Sequence, residues 1–131
     1  MSKIPATLKG MVLYHISPRK NRESILLHGL KVGKEPSGYG VVPTVKGIYF
    51  YHEDNIDIIY DAINTFEEFD VWEVSGLLGK NAVADEDSGA KTWRKSMQSH
   101  GTLAYTANIT TKLINLKMTI TSHDKQLKLQ Y

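Results

Sequence analysis

The stretch Val12–Leu30, which reads VLYHISPRKNRESILLHGL, constrains the fold of this chain more than any other part of the sequence. It opens with an apolar and aromatic run that predicts a buried β-strand. Because side chains alternate along a strand, His15 and Ser17 face the same side. A short helix follows, with Asn21 as a possible N-cap and Gly29 as a left-handed C-cap. The stretch therefore predicts an imidazole and a hydroxyl at the mouth of a sheet.

The helical spacing of apolar side chains predicts three helices. The first lies within Val12–Leu30 and has an apolar stripe that consists of Ile25, Leu26 and Leu30. The second is capped by Asp54 and runs to about Asn64. The third is short and covers Lys91–Ser99, where Trp93 and Met97 lie one turn apart.

Further strands are predicted where β-branched, leucine and aromatic residues concentrate, at Gly47–Tyr51, Asp70–Ser75, Thr102–Thr106 and Leu113–Thr121. Two loops separate these elements. Lys31–Lys46, rich in glycine and proline, has a length typical of functional loops, and Ala84–Ala90 is a surface loop. The order of strands and helices predicts a single α+β domain over residues 1–131, with a largely antiparallel sheet, rather than regular βαβ winding.

The composition indicates a globular protein, with 41% hydrophobic residues and no cysteine. The lack of cysteine excludes disulfides and thiolate chemistry. No apolar run approaches the roughly 20 residues that a membrane span requires, and Met1–Gly10 lacks the apolar region of a secretory signal. We therefore expect a cytoplasmic protein without a membrane partner.

The net charge of +2 is unevenly distributed. Basic residues concentrate in residues 1–46, whereas Glu53–Glu73 is acidic and contains no lysine or arginine. Two readings follow from this pattern. Both segments form ordinary solvated faces, or the basic segment forms a rim for a phosphate-bearing ligand beside an acidic face that repels it.

Several catalytic classes are excluded by their missing motifs. The sequence has no phosphate-binding glycine–lysine loop, no dinucleotide-binding glycine fingerprint and no nucleophile elbow. The five histidines are scattered without the close spacing of a zinc motif, so no metal site is predicted.

Four short motifs together carry a family resemblance. They are His15-Ile16-Ser17 on the first strand, Gly29-Leu30 after the helix, Gly47-Ile48-Tyr49-Phe50 on the next strand, and Tyr60 eleven residues after Tyr49. In this order and spacing the chain resembles the ADP-ribosyltransferase fold, in particular the branch that contains diphtheria toxin and the poly(ADP-ribose) polymerases. The resemblance covers Val12–Tyr60, and it extends faintly to Leu103–Leu116.

The resemblance implies a split, mainly antiparallel sheet with a few short helices around a cleft for NAD, the co-substrate. His15 would then hydrogen-bond the adenosine-side ribose of NAD. The backbone of Ile16 would clamp the nicotinamide amide, and Ser17 would support the nicotinamide end. The alternative for His15 is a hydrogen-bonded histidine of the core.

The same resemblance places two tyrosines and three basic residues around NAD. Tyr49 and Tyr60 would stack on the nicotinamide ring, although both could equally be core residues. Arg19, together with Lys20 and Arg22, would meet the diphosphate, although these residues also suit a solvated helix face.

One departure from the family concerns catalysis. Active members of this branch carry a glutamate near the start of a late strand, where it stabilises the positive charge of the transition state. The corresponding segment here is Gln98–Thr102, which contains no acid. Gln98 and His100 are the candidate catalytic residues in its place, on the condition that the strand begins early enough for both to share one face with Thr102.

The resemblance therefore implies an NAD-dependent ADP-ribosyltransferase that modifies a protein or nucleic acid acceptor. The missing glutamate leaves two alternatives open. One is a non-catalytic domain that binds NAD, a related nucleotide or a partner protein. The other is an RNA 2′-phosphotransferase-like activity, which uses arginine and histidine side chains instead of that glutamate.

Overall fold

The computed structural model describes residues 7–32, 47–52 and 68–120. Within these ranges six strands form, namely β1 (Leu13–Pro18), β2 (Ile48–His52), β3 (Phe69–Val74), β4 (Ala82–Ala84), β5 (Thr102–Tyr105) and β6 (Ile114–Ile120). Two α-helices accompany them, α1 (Arg22–His28) and α2 (Trp93–His100). Short 3-10 turns connect several of these elements, including Glu86–Ser88 between β4 and α2.

The six strands form one antiparallel sheet in the order β4-β5-β2-β1-β3-β6. The centre of the sheet is β1, which pairs with β3 along its whole length, from Leu13 opposite Val74 to Pro18 opposite Phe69. Its pairing with β2 is much shorter and consists of Leu13 opposite His52 and the neighbouring tyrosine pair. This architecture confirms the predicted α+β class and the antiparallel sheet.

One side of the sheet, here called the helix face, holds the main core. Leu13, Phe50 and Trp72 are fully buried there. They belong to the same hydrophobic cluster as Ile25 of α1 and Met97 of α2. Each helix therefore buries one apolar side chain against this face, Ile25 of α1 and Met97 of α2.

The opposite side, here called the tyrosine face, is defined by Tyr14, Ile16, Tyr49 and Tyr51. All four side chains are half-buried. Their placement follows from strand alternation, because each is the neighbour of a side chain that is buried on the helix face. Tyr14 and Ile16 also pack on a small second cluster that contains Phe69 and Val71.

The end of α1 depends on Gly29. This residue has a φ of 75° and a ψ of −167°, so the predicted positive φ is confirmed, but the conformation lies outside the left-handed helical region. A side-chain carbon here would collide with the carbonyl oxygen of Ile109. The close approach allows Leu30 and Ile109 to exchange two backbone hydrogen bonds, of 3.0 and 2.9 Å. The prediction that Leu26 joins the apolar stripe is wrong, because its side chain is 55% exposed.

The ends of α2 decide where β5 begins. The Thr92 hydroxyl caps the helix and accepts a hydrogen bond of 3.2 Å from the Lys95 amide. Gly101 ends it with a φ of 68° in the left-handed conformation that glycine adopts most easily. Since Gly101 ends the helix, β5 begins at Thr102. The prediction that this strand begins early enough for Gln98, His100 and Thr102 to share one strand face is therefore wrong.

The other predicted strands agree with the structure to within about two residues. Strand β4 was not predicted, because its three residues precede and enter the segment interpreted as a surface loop. The helix predicted from Asp54 and most of the Lys31–Lys46 loop lie outside the described residues. In the described ranges, no helix is long and apolar enough to cross a membrane.

Candidate functional site

The candidate site begins where β1 and β2 stop pairing. The last backbone pair brings Tyr14 opposite Tyr51. One residue further along β1, the imidazole Nδ1 of His15 lies 2.9 Å from the backbone carbonyl oxygen of Tyr49. A carbonyl only accepts hydrogen bonds, so Nδ1 carries the proton of this contact. The His15 side chain thus continues the link between the two strands after their backbone pairing ends.

His15 is held in the sheet by packing as well as by this hydrogen bond. Only 9% of its surface is exposed. Its ring lies 5.7 Å from the ring of Phe50, at an angle of 53°. Ser17 is fully buried on the same side of β1, and its hydroxyl accepts a hydrogen bond of 3.4 Å from Asn21. The predicted common orientation of His15 and Ser17 is confirmed.

The Tyr49 side chain lies on the tyrosine face, opposite His15, and makes the most informative polar contact of the site. Its hydroxyl donates a hydrogen bond of 3.0 Å to the carboxylate of Glu86. Strand β5 separates β2 from β4, and the residue opposite Tyr49 on β5 is Ala104. A small side chain at that position leaves room for the tyrosine ring to extend toward the β4 side of the sheet.

The environment of Tyr49 keeps its phenol protonated. Burial raises the pKa of the phenol well above its ordinary value. The hydrogen bond to Glu86 and the negative charges of Glu86, Asp85 and Asp87 raise it further, because a phenolate would be repelled by them. Tyr49 is therefore a neutral hydrogen-bond donor beside a group of carboxylates.

The register of β4 places Glu86 at the end of the sheet where β5 begins. Ala84 is paired with Leu103, and the strands are antiparallel, so residues after Ala84 lie toward Thr102. The sequence lacks an acid in Gln98–Thr102, just before this strand. The structure brings the Glu86 carboxylate to this end of the sheet, from the turn that follows β4.

Glu86 was missed by the sequence analysis because its contact with Tyr49 spans 37 residues. The visible local signal was Asp85, whose carboxylate accepts a hydrogen bond of 3.0 Å from the Asp87 amide and caps the 3-10 turn. That signal predicts a turn, and it contains no information about Tyr49.

Thr102 is a second polar residue near this end of the tyrosine face. It lies opposite Tyr51, and paired residues of an antiparallel sheet share one face. The residue is 6% exposed, and in the described part of the chain its hydroxyl has no hydrogen-bond partner. A buried hydroxyl without a partner is costly in a folded protein.

The two catalytic candidates from the sequence lie elsewhere. Gln98 and His100 belong to the last turns of α2, and both are exposed. The hydroxyl of Ser99 lies 2.9 Å from Nδ1 of His100. The helix places these side chains on its solvent side rather than on the sheet.

The basic residues near α1 are engaged in ion pairs. Arg19 lies 2.9 Å from Glu68 in an exposed pair. Arg22 binds Asp70 through two hydrogen bonds, of 2.9 and 2.7 Å, and Asp70 is fully buried. The hydrogen bond with Asp70 is the main cause that raises the pKa of Arg22 above its ordinary value. Thr119 completes this network by donating to Asp70 at 2.8 Å.

The structure describes some of the remaining predicted site residues and not others. Ile16 is half-buried on β1 and lies opposite Val71 of β3. Lys20 is exposed. Tyr60 lies outside the described residues. In the part of the chain that the structure covers, no cluster of three or more His, Asp or Glu side chains is arranged to hold a metal ion.

Comparison with protein-family models, with curated proteins and with solved structures finds no match for this chain.

Proposed function

We propose that this chain is an ADP-ribosyltransferase-like domain that binds NAD and transfers ADP-ribose to a protein or nucleic acid acceptor in the cytoplasm. The observation that carries the proposal is the link between the two central strands. His15 holds the backbone of Tyr49 on one side of the sheet, and the Tyr49 phenol reaches Glu86 on the other. Two motifs that are distant in sequence are thus joined at Tyr49, whose side chain contacts a carboxylate.

In this proposal NAD binds where the pairing of β1 and β2 ends, with its nicotinamide on the tyrosine face. The nicotinamide ring stacks on Tyr49 in an offset or edge arrangement. The backbone of Ile16 clamps the nicotinamide amide, and Ser17 supports that end from within the strand. The resemblance assigns the adenosine-side ribose to His15, whose imidazole is buried on the helix face and binds the Tyr49 carbonyl. Tyr60 is the proposed second wall of the ring pocket.

Transfer requires stabilisation of positive charge on the nicotinamide ribose. The bond between the anomeric carbon and the nicotinamide nitrogen breaks, and its electron pair leaves with the ring, which becomes neutral nicotinamide. The acceptor then bonds to the anomeric carbon and releases a proton. Glu86 supplies the negative charge that stabilises the developing cation. Gln98 and His100, the dipoles predicted for the same step, lie on the solvent side of α2 and have no role in this proposal.

Two alternatives have different support. A non-catalytic binder is favoured by the lack of an acid in Gln98–Thr102 and by the fact that Glu86 already binds Tyr49. An RNA 2′-phosphotransferase-like activity has less support. It needs arginines that contact phosphate, and both Arg19 and Arg22 contact carboxylates.

Nicotinamide release over time tests the proposal. We expect the native protein to release nicotinamide from NAD, and Glu86→Gln to lower kcat by about a hundredfold, because it removes a preorganised transition-state contact. His100→Ala, Gln98→Glu and His100→Glu should have little effect, because both side chains lie on the solvent side of α2. Glu23→Gln, an exposed glutamate on α1, is the matched control.

The pattern of these rates separates the candidate functions. Release from the native protein that is equally fast in Glu86→Gln would mean that Glu86 is not the catalytic carboxylate. No release from any form, together with binding of NAD, would favour the non-catalytic binder.

A further inference from the structure

We propose that Ser96 is a positioning residue of the site, whose hydroxyl fixes the turn that carries Glu86. The inference rests on the proposed function, in which Glu86 is the catalytic carboxylate. It goes further by assigning a role to a fully buried side chain of α2, an element that the proposed function does not use.

The Ser96 hydroxyl lies where β4 and β5 stop pairing. The last backbone pair of these strands is Ala84 with Leu103, and the next residues along them are Asp85 and Thr102. The amide of Asp85 donates a hydrogen bond of 3.0 Å to the Ser96 hydroxyl. That hydroxyl donates in turn, at 2.7 Å, to the carbonyl oxygen of Thr102. The serine side chain therefore joins two backbone groups that would otherwise form the next hydrogen bond of the ladder.

Asp85 is the residue through which the acidic turn is attached. Its carboxylate accepts a hydrogen bond of 3.0 Å from the Asp87 amide, and its carbonyl oxygen accepts from the hydroxyl and the amide of Ser88, at 2.7 and 3.0 Å. These contacts stay within the turn. In the part of the chain that the structure describes, the hydrogen bond to Ser96 is the one that connects Asp85 to another element. Because Glu86 is the next residue of the chain, its position depends on that hydrogen bond.

Ser96 is itself held rigidly. Its side chain is fully buried, and its amide donates a hydrogen bond of 3.0 Å to the Thr92 carbonyl within the helix. Met97, the next residue, is buried in the main core. A hydroxyl has one hydrogen to donate and lone pairs that accept, and Ser96 uses both capacities at this site.

The loss of this hydroxyl would displace the turn. The Asp85 amide and the Thr102 carbonyl would each lose a partner, and leaving such groups unpaired is costly. They can pair directly only if the turn moves toward β5. Such a movement changes the position of the Glu86 carboxylate, which accepts from the Tyr49 hydroxyl at 3.0 Å.

A double-mutant cycle on nicotinamide release from NAD tests whether Ser96 acts through Glu86. We expect Ser96→Ala to lower kcat at least about tenfold with little change in KM, because a small misplacement of a catalytic group has a large effect on rate. In the Glu86→Gln background the same substitution should change kcat by less than about twofold, because the carboxylate that it positions is already absent. Met97→Ala, which destabilises the same helix and keeps the hydroxyl, should retain the native kcat.

A second pair of variants applies if Ser96→Ala fails to fold. Asp85→Pro and Asp85→Ala both lose the Asp85 carboxylate, but only proline also lacks the amide hydrogen that Ser96 accepts. The φ of Asp85 is −64°, a value that suits a proline ring. The kcat of Asp85→Pro should be at least about tenfold below that of Asp85→Ala.

Urea unfolding provides a readout that requires no activity. Tyr49→Phe removes the hydroxyl that donates to Glu86 and should destabilise the native protein. In the Ser96→Ala background, or in Asp85→Pro, the same substitution should cause about half of that loss or less, because a displaced Glu86 no longer accepts from Tyr49.

The outcomes separate the inference from the proposed function. Independent effects of Ser96→Ala and Glu86→Gln on kcat, or equal losses of stability from Tyr49→Phe in both backgrounds, would overturn the role of Ser96 and leave the proposed function in place. If the native protein releases no nicotinamide, the proposed function fails. The unfolding comparison then decides alone whether Ser96 positions Glu86.

Discussion

The phenol of Tyr49 and the carboxylate of Glu86 are joined by a hydrogen bond of 3.0 Å that crosses the sheet from β2 to the turn after β4. Backbone pairing runs from β2 through β5 to β4, and this side-chain contact adds a direct connection over the same strands. It places a neutral donor and a negative charge together on the half-buried tyrosine face. The predictions below test this contact and the interactions that hold the site in place.

The first prediction concerns the pH dependence of stability through Tyr49. In the unfolded chain this phenol ionises near its ordinary pKa of 10.0, whereas burial and Glu86 raise its pKa in the folded protein. Above about pH 10 the unfolded state has therefore lost a proton that the native state keeps, and the stabilisation from Tyr49 decreases as the pH rises. Below that pH it is fully present.

Urea unfolding of the native protein and Tyr49→Phe at about pH 8 and about pH 11 measures this effect. All other residues are the same in both proteins, so their effects cancel in the comparison. The stability advantage of the native protein over Tyr49→Phe should shrink at the higher pH. An advantage that stays constant or grows would contradict the raised pKa.

The second prediction concerns the buried ion pair between α1 and β3. Arg22→Ala leaves the fully buried carboxylate of Asp70 without the guanidinium that donates two hydrogen bonds to it. Breaking a buried pair on one side costs about 3–5 kcal/mol in the free energy of unfolding. Glu68→Ala removes the partner of Arg19 in an exposed pair and should cost at most about 1 kcal/mol. Chemical unfolding of both variants checks the contrast, and equal costs would show that the Asp70 network is not important for stability.

The third prediction concerns the close approach at the end of α1. Gly29→Ala combines a positive φ with a collision against the Ile109 carbonyl, so it should lower the free energy of unfolding by more than about 3 kcal/mol. Gly89 has a φ of 69° and open space around it. Gly89→Ala should therefore cost only the backbone strain, about 1–2 kcal/mol. If the two variants have the same thermal midpoint, the steric argument is wrong.

The fourth prediction concerns His15 and NAD. His15→Ala removes the link to the Tyr49 carbonyl and the proposed contact with ribose. The loss of one ribose hydrogen bond should weaken NAD binding by about 0.5–1.5 kcal/mol, measured by calorimetry on folded protein. His28→Ala, which changes an exposed histidine of α1, is the control and should bind NAD normally. An unchanged affinity in folded His15→Ala would remove His15 from the binding site.

The elements with strong local patterns were predicted correctly. The alternation around His15 and Ser17 predicted β1, and apolar and aromatic runs predicted β2 and β3. Gly29 was identified as a residue with positive φ, although its ψ depends on the contact with Ile109 far along the chain. The local spacing of residues determines these features, so they can be predicted from a single sequence.

The features that were missed depend on tertiary contacts or on a helix end. The predicted strand position of Gln98 and His100 was wrong. The helix continues through His100 and ends at Gly101, so β5 begins only at Thr102. Leu26 was placed in the apolar stripe by its spacing, but α1 has only two turns, and it buries Ile25 of that stripe and leaves Leu26 exposed. The pairing of Tyr49 with Glu86 has no local signal, because it requires β4, β5 and β2 to be neighbours. The NAD cleft stays a prediction, and Glu86 as its catalytic carboxylate is a proposal.

Mass spectrometry after incubation with NAD tests the central claim most directly. The native protein is incubated with NAD and a mixture of protein and nucleic acid acceptors, in parallel with Glu86→Gln and Glu23→Gln. If ADP-ribose is transferred, an acceptor gains the mass of ADP-ribose and an equal amount of nicotinamide is released in the native and Glu23→Gln reactions. Far less modified acceptor and nicotinamide should form in the Glu86→Gln reaction. Intact NAD and unmodified acceptors in all three reactions would contradict it.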